Sequence, residues 1–237
     1  MKKGIFVLSL LLTFNLAAQE SLSPKDAQGK QHGQWRKLYD NKKVRYTGTF
    51  NHGIPVDTFK YYFPNGDLQT INVFRGKSGN CYSYQYGDGK KLAAEGLYKN
   101  KEKDSTWTFY NASGTLVARE SYKKGVKEGP SLNYYPNGKI AESVSYINGK
   151  KEGEWKQFYE SGEPMAKGTY VDGSLQGQAM YFYSSGKLRM KGSYKKGLMD
   201  GNWYYFDTNT KVEKKEVWRR GHLLEDKEDG KKEEEKK

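Results

Sequence analysis

The sequence of 237 residues is poor in the side chains on which disulfide-linked proteins, metalloproteins and most enzymes depend. Cys81 is the single cysteine, so no disulfide can form within the chain. His32, His52 and His222 are the three histidines, and their positions form no recognisable metal-ligand or Cys-His motif. The carboxylates are scattered without a distinctive pair. We therefore predict that the protein is not an enzyme and has no catalytic residues, no metal site and no cofactor.

An amphipathic helical pattern and a membrane-spanning run are also missing. The most apolar segment, residues 5–18, follows Lys2 and Lys3 and is shorter than the roughly 18–20 residues that cross a bilayer. Its basic start, its apolar centre and the small pair Ala17-Ala18 are typical of a secretory signal peptide. We predict cleavage near Ala18 and export of the mature chain, which for a bacterial source means the periplasm, the outer surface or the medium.

The chain is rich instead in aromatic residues and glycine, and both recur at a fixed interval. One aromatic position returns every 24 residues without an insertion: Phe50, Phe74, Tyr98, Tyr122, Tyr146, Tyr170, Tyr194 and Trp218. We expect these residues to stack successive units on one another. Four tryptophans near the start of a unit join this stack: Trp35, Trp107, Trp155 and Trp203. Eight such units fill residues 29–224.

Each unit is predicted to contain two short strands and two turns. Aromatic-rich runs of about six residues are bounded by Asn-Gly or Ser-Gly pairs, which are typical of β-hairpin turns. In the seventh unit Leu188, Met190, Gly192 and Tyr194 alternate with cationic or small polar residues, so one face of that strand is apolar. Because Gly192 lies in the apolar row, we expect a neighbouring ring such as that of Trp203 to approach its backbone closely.

The predicted fold class is therefore all-β, an elongated ribbon or solenoid of about eight stacked 24-residue β-hairpins. A lone hairpin is marginally stable in water, so each unit has to bury its apolar face on its neighbours. Sixteen strands side by side at about 4.8 Å give a ribbon on the order of 75 Å long. We divide the chain into a signal peptide at residues 1–18, a polar lead-in at 19–28, the repeat domain at 29–224 and a charged, disordered tail at 225–237.

The residues of several units resemble the MORN repeat family, and more closely its bacterial variant. Tyr46, Gly48, Phe50 and Gly53 follow the MORN order of tyrosine, glycine, aromatic residue and glycine. The junction between two hairpins reads tyrosine, glycine, glycine and tryptophan: Tyr146, Gly149, Gly153 and Trp155. The resemblance covers about eight units and implies the ribbon fold. It implies little about function, because the family is defined by its scaffold, although proteins that carry the variant are often described as toxin–antitoxin antitoxins.

The third unit departs from this pattern. It begins Cys81-Tyr82-Ser83, without the glycine and the tryptophan of its neighbours, and its mid-unit turn glycine, Gly89, comes one place early. A bulge or shifted register is one interpretation, and a specialised contact site is the other. For Cys81 we expect the role of a small buried residue rather than that of a reactive or cross-linking thiol.

The net charge is +13, from 41 basic and 28 acidic residues. In an exported protein this charge favours an anionic partner, namely an acidic protein, a lipid headgroup, a glycan or another envelope polymer. It also keeps an aromatic ribbon soluble. Aromatic rings beside lysines suit single-stranded nucleic acid as well, but export argues against that partner.

These features lead to three functional hypotheses. The first, which we favour, is an exported interaction or envelope scaffold module that binds a protein. The second is an antitoxin or immunity-type protein that neutralises a toxin acting in the envelope, and the third is a glycan-binding or cell-wall-binding module. The sequence leaves self-association open. The candidate contact rings are one tyrosine from each of six units: Tyr39, Tyr62, Tyr110, Tyr135, Tyr159 and Tyr183.

Overall fold

Residues 22–228 are described by the structure, a computed structural model. The predicted signal peptide and the segment after residue 228 lie outside this range. Within it, 18 antiparallel strands form one sheet, which confirms the predicted all-β fold. Each strand pairs with the strands before and after it in the chain, except that β13 and β14 both pair with β12. No helix among the described residues is long and apolar enough to cross a bilayer, and the helical turn Asp88–Lys90 is of the 3-10 type.

The strands are β1 (Gly33–Leu38), β2 (Val44–Asn51), β3 (Ile54–Tyr62), β4 (Leu68–Phe74), β5 (Cys81–Tyr86), β6 (Leu92–Lys99), β7 (Glu102–Tyr110), β8 (Leu116–Lys123), β9 (Val126–Tyr134), β10 (Ile140–Ile147), β11 (Lys150–Phe158), β12 (Pro164–Val171), β13 (Ser174–Leu175), β14 (Gly177–Phe182), β15 (Leu188–Lys195), β16 (Leu198–Phe206), β17 (Val212–Arg219) and β18 (His222–Glu228).

Two-residue closing turns join most successive units, whereas residues 75–80 join β4 to β5. The backbone geometry of the two-residue turns explains the recurring glycine. At His52-Gly53 the φ angles are 50° and 85°, and at Asn148-Gly149 they are 49° and 80°. Two successive positive φ angles are characteristic of the type I′ turn, whose twist matches that of the flanking strands. Glycine adopts such angles without steric cost, which accounts for the periodic glycines at these turns.

The closing turn of Asn100 and Lys101 has no glycine, and Lys101 adopts a φ of 68°. A left-handed conformation costs a residue with a side chain about 1–2 kcal/mol, a cost that glycine avoids. The greater conformational freedom of glycine in the unfolded chain offsets about 0.5–1 kcal/mol of that gain in stability. We therefore expect Lys101→Gly to raise the free energy of unfolding by about 0.5–1 kcal/mol, measured by urea denaturation. The reverse change Gly173→Lys, at a φ of 86° with only ordinary contacts nearby, should lower it. A loss of stability in Lys101→Gly contradicts this explanation.

The junctions between units carry β-bulges that were not evident in the sequence. At five junctions the pairing register shifts, and a residue of the shifted segment has a positive φ: Asp57, Ser105, Gly129, Gly153 and Gly201. Strands β4 and β5 pair without a shift, and Cys81, at the equivalent position, has no positive φ. At this junction the third unit therefore differs by the loss of a bulge, not by an added bulge or a shifted register.

One face of the sheet carries a column of large rings that alternate with small residues. Trp107 and Trp203 are fully buried in this column. A Cβ atom added to Gly192 would lie 2.1 Å from the Trp203 ring, and one added to Gly96 would lie 2.4 Å from the Trp107 ring. The close approach predicted at Gly192 is therefore confirmed. The rings of the column are Trp35, Phe59, Trp107, Trp155 and Trp203.

The eight aromatic residues of the 24-residue series flank the column and are half-buried. Tyr98 meets Trp107 edge-on with 4.8 Å between ring centroids, and Tyr194 meets Trp203 in the same way at 5.0 Å. Edge-on contacts are a favourable arrangement of aromatic pairs. Five members contact a column ring in this way: Phe50, Phe74, Tyr98, Tyr170 and Tyr194. The other three contact charged side chains: Tyr122, Tyr146 and Trp218.

Short segments cover the two ends of the ribbon. At the first end Leu22 and Arg36 exchange two backbone hydrogen bonds of 2.9 Å, and the Trp35 indole donates to the Pro24 carbonyl at 2.8 Å. At the other end β18 pairs with β17, so residues 225–228 extend the sheet into the segment that we assigned to the disordered tail. Charged side chains on this last strand discourage it from pairing with another chain.

Candidate functional site

The six candidate contact tyrosines are half-buried at the ends of strands next to the mid-unit turns. Four of them donate their hydroxyl hydrogen to a backbone carbonyl 23 residues further along the chain, at 2.6–2.8 Å. We call these four the tyrosine ladder: Tyr39, Tyr135, Tyr159 and Tyr183. Tyr62 supplies the carbonyl that Tyr39 binds. Tyr110 donates to the Glu95 carboxylate at 2.7 Å, and burial together with this contact raises the pKa of Tyr110 to about 12.

The tyrosine ladder therefore has a structural role in addition to the contact role predicted for it. Each ladder hydroxyl joins its own unit to the next, so the rings are held in register along the ribbon. Only the part of each ring that faces solvent is available to a partner.

The column of rings is interrupted at the third unit, where Ser83 occupies the position of a tryptophan. The adjacent units contribute Phe59 and Trp107 to the column. Asn72 faces Ser83 across β4 and β5, and a groove of about 460 Å³ opens beside Asn72. We call it the gap groove, and its lining includes Tyr61, Asn72, Phe74, Cys81, Tyr98 and Lys101.

Two buried polar atoms beside the gap have no hydrogen-bond partner among the described residues. They are the side-chain oxygens of Asn72 and Ser83. A buried polar group left without a partner costs about 1–3 kcal/mol. Most native polar groups are satisfied, so such an exception calls for an explanation. Asn72 lines the gap groove, and a hydrogen-bond donor that entered the groove would satisfy its oxygen.

The thiol of Cys81 belongs to the wall of the gap groove and is not a reactive group. The residue is 5% exposed, and burial raises the pKa of the thiol to about 11. At neutral pH the sulfur is therefore protonated, whereas the thiolate is the nucleophilic form. This agrees with the small buried role expected for Cys81. Burial also raises the pKa of Tyr61, with smaller contributions from Cys81 and Tyr46.

Two other units lack the column ring, but their neighbours fill the position. Ser131 lies between Glu120 and Val144 in the cross-strand pairing, and both of these side chains are much larger than the glycine found there in other units. In the other unit Ala179 takes the place of the ring, and the side chain of Leu175 covers Gly168 beside it. The third unit has Gly96 on one side of Ser83, so less side-chain volume is available there to close the column.

A second cluster of polar side chains lies at the first closing turn. Asp26, from the lead-in, joins His32 and His52, and one ligand-type atom from each residue lies within 4.8 Å of the others. His52 Nδ1 is 2.6 Å from Asp26 Oδ2, and the two imidazole centroids are 4.7 Å apart. The hydrogen bond with His52 lowers the pKa of Asp26, burial opposes this, and the amides of Lys30 and Gln28 add to the lowering. Sequence reasoning missed this cluster because Asp26 lies outside the repeat pattern.

The family of the repeats is decided by a sequence match. The family described as the MORN repeat variant matches residues 31–52, 127–148, 151–172 and 175–196. These four segments are MORN repeats of the variant type. The unit that carries the gap groove lies outside the matched segments, in agreement with its departure from the repeat pattern.

No curated protein matches the chain. Among solved structures, the chain aligns with the crystal structure of TcdB2-TccC3-TEV at 12% identity and a TM-score of 0.24, over 86% of this chain and 14% of that one. The Photorhabdus luminescens Tc holotoxin pore aligns at 11% identity and a TM-score of 0.24, over 84% and 13%. A porin-like protein from Bacteroides uniformis aligns at 10% identity and a TM-score of 0.20, over 81% and 91%. Scores at this level carry no argument about function.

Part of the positive charge of the repeat units lies over aromatic rings. Lys103 Nζ is 4.5 Å from the centroid of the Trp107 ring, and Lys127 Nζ is 5.0 Å from that of Tyr146. Such cation–π contacts contribute about 0.5–1 kcal/mol at exposed sites. Burial lowers the pKa of Lys103 against the opposing attraction of Glu120. These lysines therefore contribute to the packing of the repeat units.

Proposed function

We propose that this chain is an exported, non-enzymatic MORN repeat protein that binds a protein partner and acts as an interaction or envelope scaffold module. The match to MORN repeats supports a role in binding. The gap groove is the observation that carries the proposal, because it combines aromatic walls with an unpartnered acceptor, Asn72. Apolar pockets with a few polar groups are typical of binding sites.

An extended segment of a partner protein is the occupant that fits the groove best. Tyr61, Phe74 and Tyr98 offer rigid aromatic contact area, and the volume of about 460 Å³ admits bulky side chains. An N–H group of the segment would donate to the Asn72 oxygen. Lys101 in the groove lining favours acidic residues in the segment. Cys81, protonated at neutral pH, offers no activated nucleophile, which supports binding rather than catalysis.

Filling the gap with the ring found in other units should abolish partner binding and leave the fold intact. The double substitution Asn72→Gly and Ser83→Trp recreates the close pair formed by Gly96 and Trp107. Burial of the new ring and removal of two unpartnered oxygens should raise the free energy of unfolding by about 1–3 kcal/mol. In a pull-down from the envelope fraction of the native host at physiological salt, the wild type should retain a discrete protein. The double variant should bind that protein at least about tenfold more weakly.

Ser83→Ala is the matched control for this experiment, because it removes an unpartnered hydroxyl and leaves the groove open. It should retain the partner. A folded double variant that binds the same protein as strongly as the wild type would exclude the groove as the contact. Recovery of an anionic polymer alone, lost as salt rises, would exclude a protein partner and favour a glycan or lipid headgroup. A retained protein that proves to be a toxin would select the antitoxin alternative.

A further inference from the structure

The cluster at the first closing turn has the composition of a metal-binding site. We propose that Asp26, His32 and His52 bind one zinc-like divalent cation and thereby fasten the lead-in to the end of the ribbon. One ring nitrogen of each histidine and one carboxylate oxygen lie within 4.8 Å of one another. Zinc binds such atoms at about 2.0–2.2 Å, which places the ligands of a tetrahedral site about 3.3 Å apart. The exposed imidazoles need to move by roughly 1.5 Å to reach that geometry.

The carboxylate of Asp26 is already held in position to act as a ligand. Its side chain is 7% exposed, and Oδ1 accepts hydrogen bonds from the amides of Gln28 at 2.9 Å and Lys30 at 2.8 Å. Oδ2 remains and lies 2.6 Å from His52 Nδ1. Hydrogen bonds of this kind orient metal ligands, and losing one typically lowers metal affinity by roughly 10- to 100-fold.

The two histidines occupy positions that other units fill with residues of a different kind. In five units a side chain accepts a hydrogen bond of 2.7–3.0 Å from the first amide of the closing turn 20 residues later: Asn80, Glu128, Glu152, Gln176 and Asp200. In the first unit His32 Nδ1 takes this place, and its distance to the His52 amide is 3.4 Å. This bond is longer than the other five, so His32 gives up little by turning to a metal. The imidazole of His32 accepts only this long hydrogen bond, whereas imidazole is a strong ligand for late first-row divalent metal ions.

The donor set indicates which ion the site would take. Two imidazole nitrogens and one carboxylate oxygen suit zinc and other late first-row divalent ions, whereas calcium and magnesium prefer oxygen ligands alone. A water molecule would complete the coordination. The ion would join Asp26 to His52, 26 residues apart, at the end of the array, where a repeat protein requires a cap. This inference does not depend on the function proposed for the gap groove.

Cobalt titration of the untagged protein tests the site. Tetrahedral cobalt has strong visible absorption bands that the hydrated ion lacks, and one zinc ion per chain should displace it. His32→Asn and His52→Asn are informative variants, because Asn80 serves as the equivalent acceptor and Asn148 as the equivalent turn residue. These variants should therefore fold. Each should lose more zinc affinity than the roughly 10- to 100-fold that removal of an outer-shell partner costs.

His222→Asn is the matched control, because His222 begins the last strand at the opposite end of the sheet. This variant should bind one zinc ion with unchanged affinity. Zinc should also raise the unfolding temperature of the wild type and of His222→Asn but not that of His32→Asn, since an ion that binds only the folded state stabilises it. The proposal is overturned if cobalt gives no tetrahedral bands, or if His32→Asn and His52→Asn bind zinc as tightly as the wild type.

Discussion

Gly192→Ala is expected to lower the free energy of unfolding by about 2–3 kcal/mol, the upper part of the range found for overpacked cores. The added methyl group would lie 2.1 Å from the Trp203 ring, too close for any pair of unbonded carbon atoms. Trp203 cannot easily withdraw, because it is fully buried, its indole donates to the Ser193 carbonyl at 3.2 Å and Tyr194 packs against its edge. Urea denaturation of the purified variant measures the loss.

Gly168→Ala is the control for this prediction, because the same repeat position is less crowded there. A Cβ atom at Gly168 would have its nearest neighbours at 3.5 Å, an ordinary contact distance. Alanine is favoured over glycine within a strand by about 0.5–1 kcal/mol, so this variant should be neutral or slightly more stable. Equal losses at Gly168 and Gly192 would show that the glycines are required for a reason other than the rings. Gly96→Ala, at 2.4 Å from Trp107, should behave like Gly192→Ala.

Removing three hydroxyls of the tyrosine ladder should destabilise the C-terminal half of the ribbon. The triple variant Tyr135→Phe, Tyr159→Phe and Tyr183→Phe keeps the rings but loses three hydrogen bonds of 2.6–2.8 Å between units. At about 1 kcal/mol for each bond, the free energy of unfolding should fall by about 3 kcal/mol. Chemical denaturation followed by circular dichroism gives this value.

The matched control removes three hydroxyls that make no hydrogen bond within the described part of the chain. Its substitutions are Tyr84→Phe, Tyr134→Phe and Tyr204→Phe, and they should change the stability by only a few tenths of a kcal/mol, as is usual away from structural contacts.

Replacing the same three ladder residues by alanine also removes their rings, and we expect that variant to unfold. A folded alanine variant that had lost glycan binding would contradict the structural role of the ladder and restore the interpretation of these rings as sugar-binding platforms.

Much of the fold follows from the sequence because every unit repeats the same local rules. The 24-residue period identified the stack, the closing glycines identified turns that require positive φ, and the alternation around Gly192 identified the close approach of the Trp203 ring. Steric effects at this scale depend on neighbours in the sequence or in the next unit. These steric effects can therefore be inferred from the sequence alone.

The contacts that the sequence did not reveal depend on the pairing register. The ladder bonds join a hydroxyl to a carbonyl 23 residues away, and the recurrence of Tyr135, Tyr159 and Tyr183 shows a shared role without naming the acceptor. The site formed by Asp26 with His32 and His52 requires the path of the lead-in, which follows no period. The strand formed by residues 222–228 was also missed beyond residue 224, because a strand rich in charge resembles a disordered tail until its partner strand is known.

The hydrogen bonds between strands run along the length of the ribbon, and this direction governs how the molecule bears mechanical load. A force that pulls the two ends of the ribbon apart is parallel to those bonds and passes through every strand pair in series, so the weakest pair opens first. A sheet loaded in shear, with many bonds strained together, resists far more. A column ring and a bulge are both absent at the junction of β4 and β5, so we expect this junction to open first under such a load.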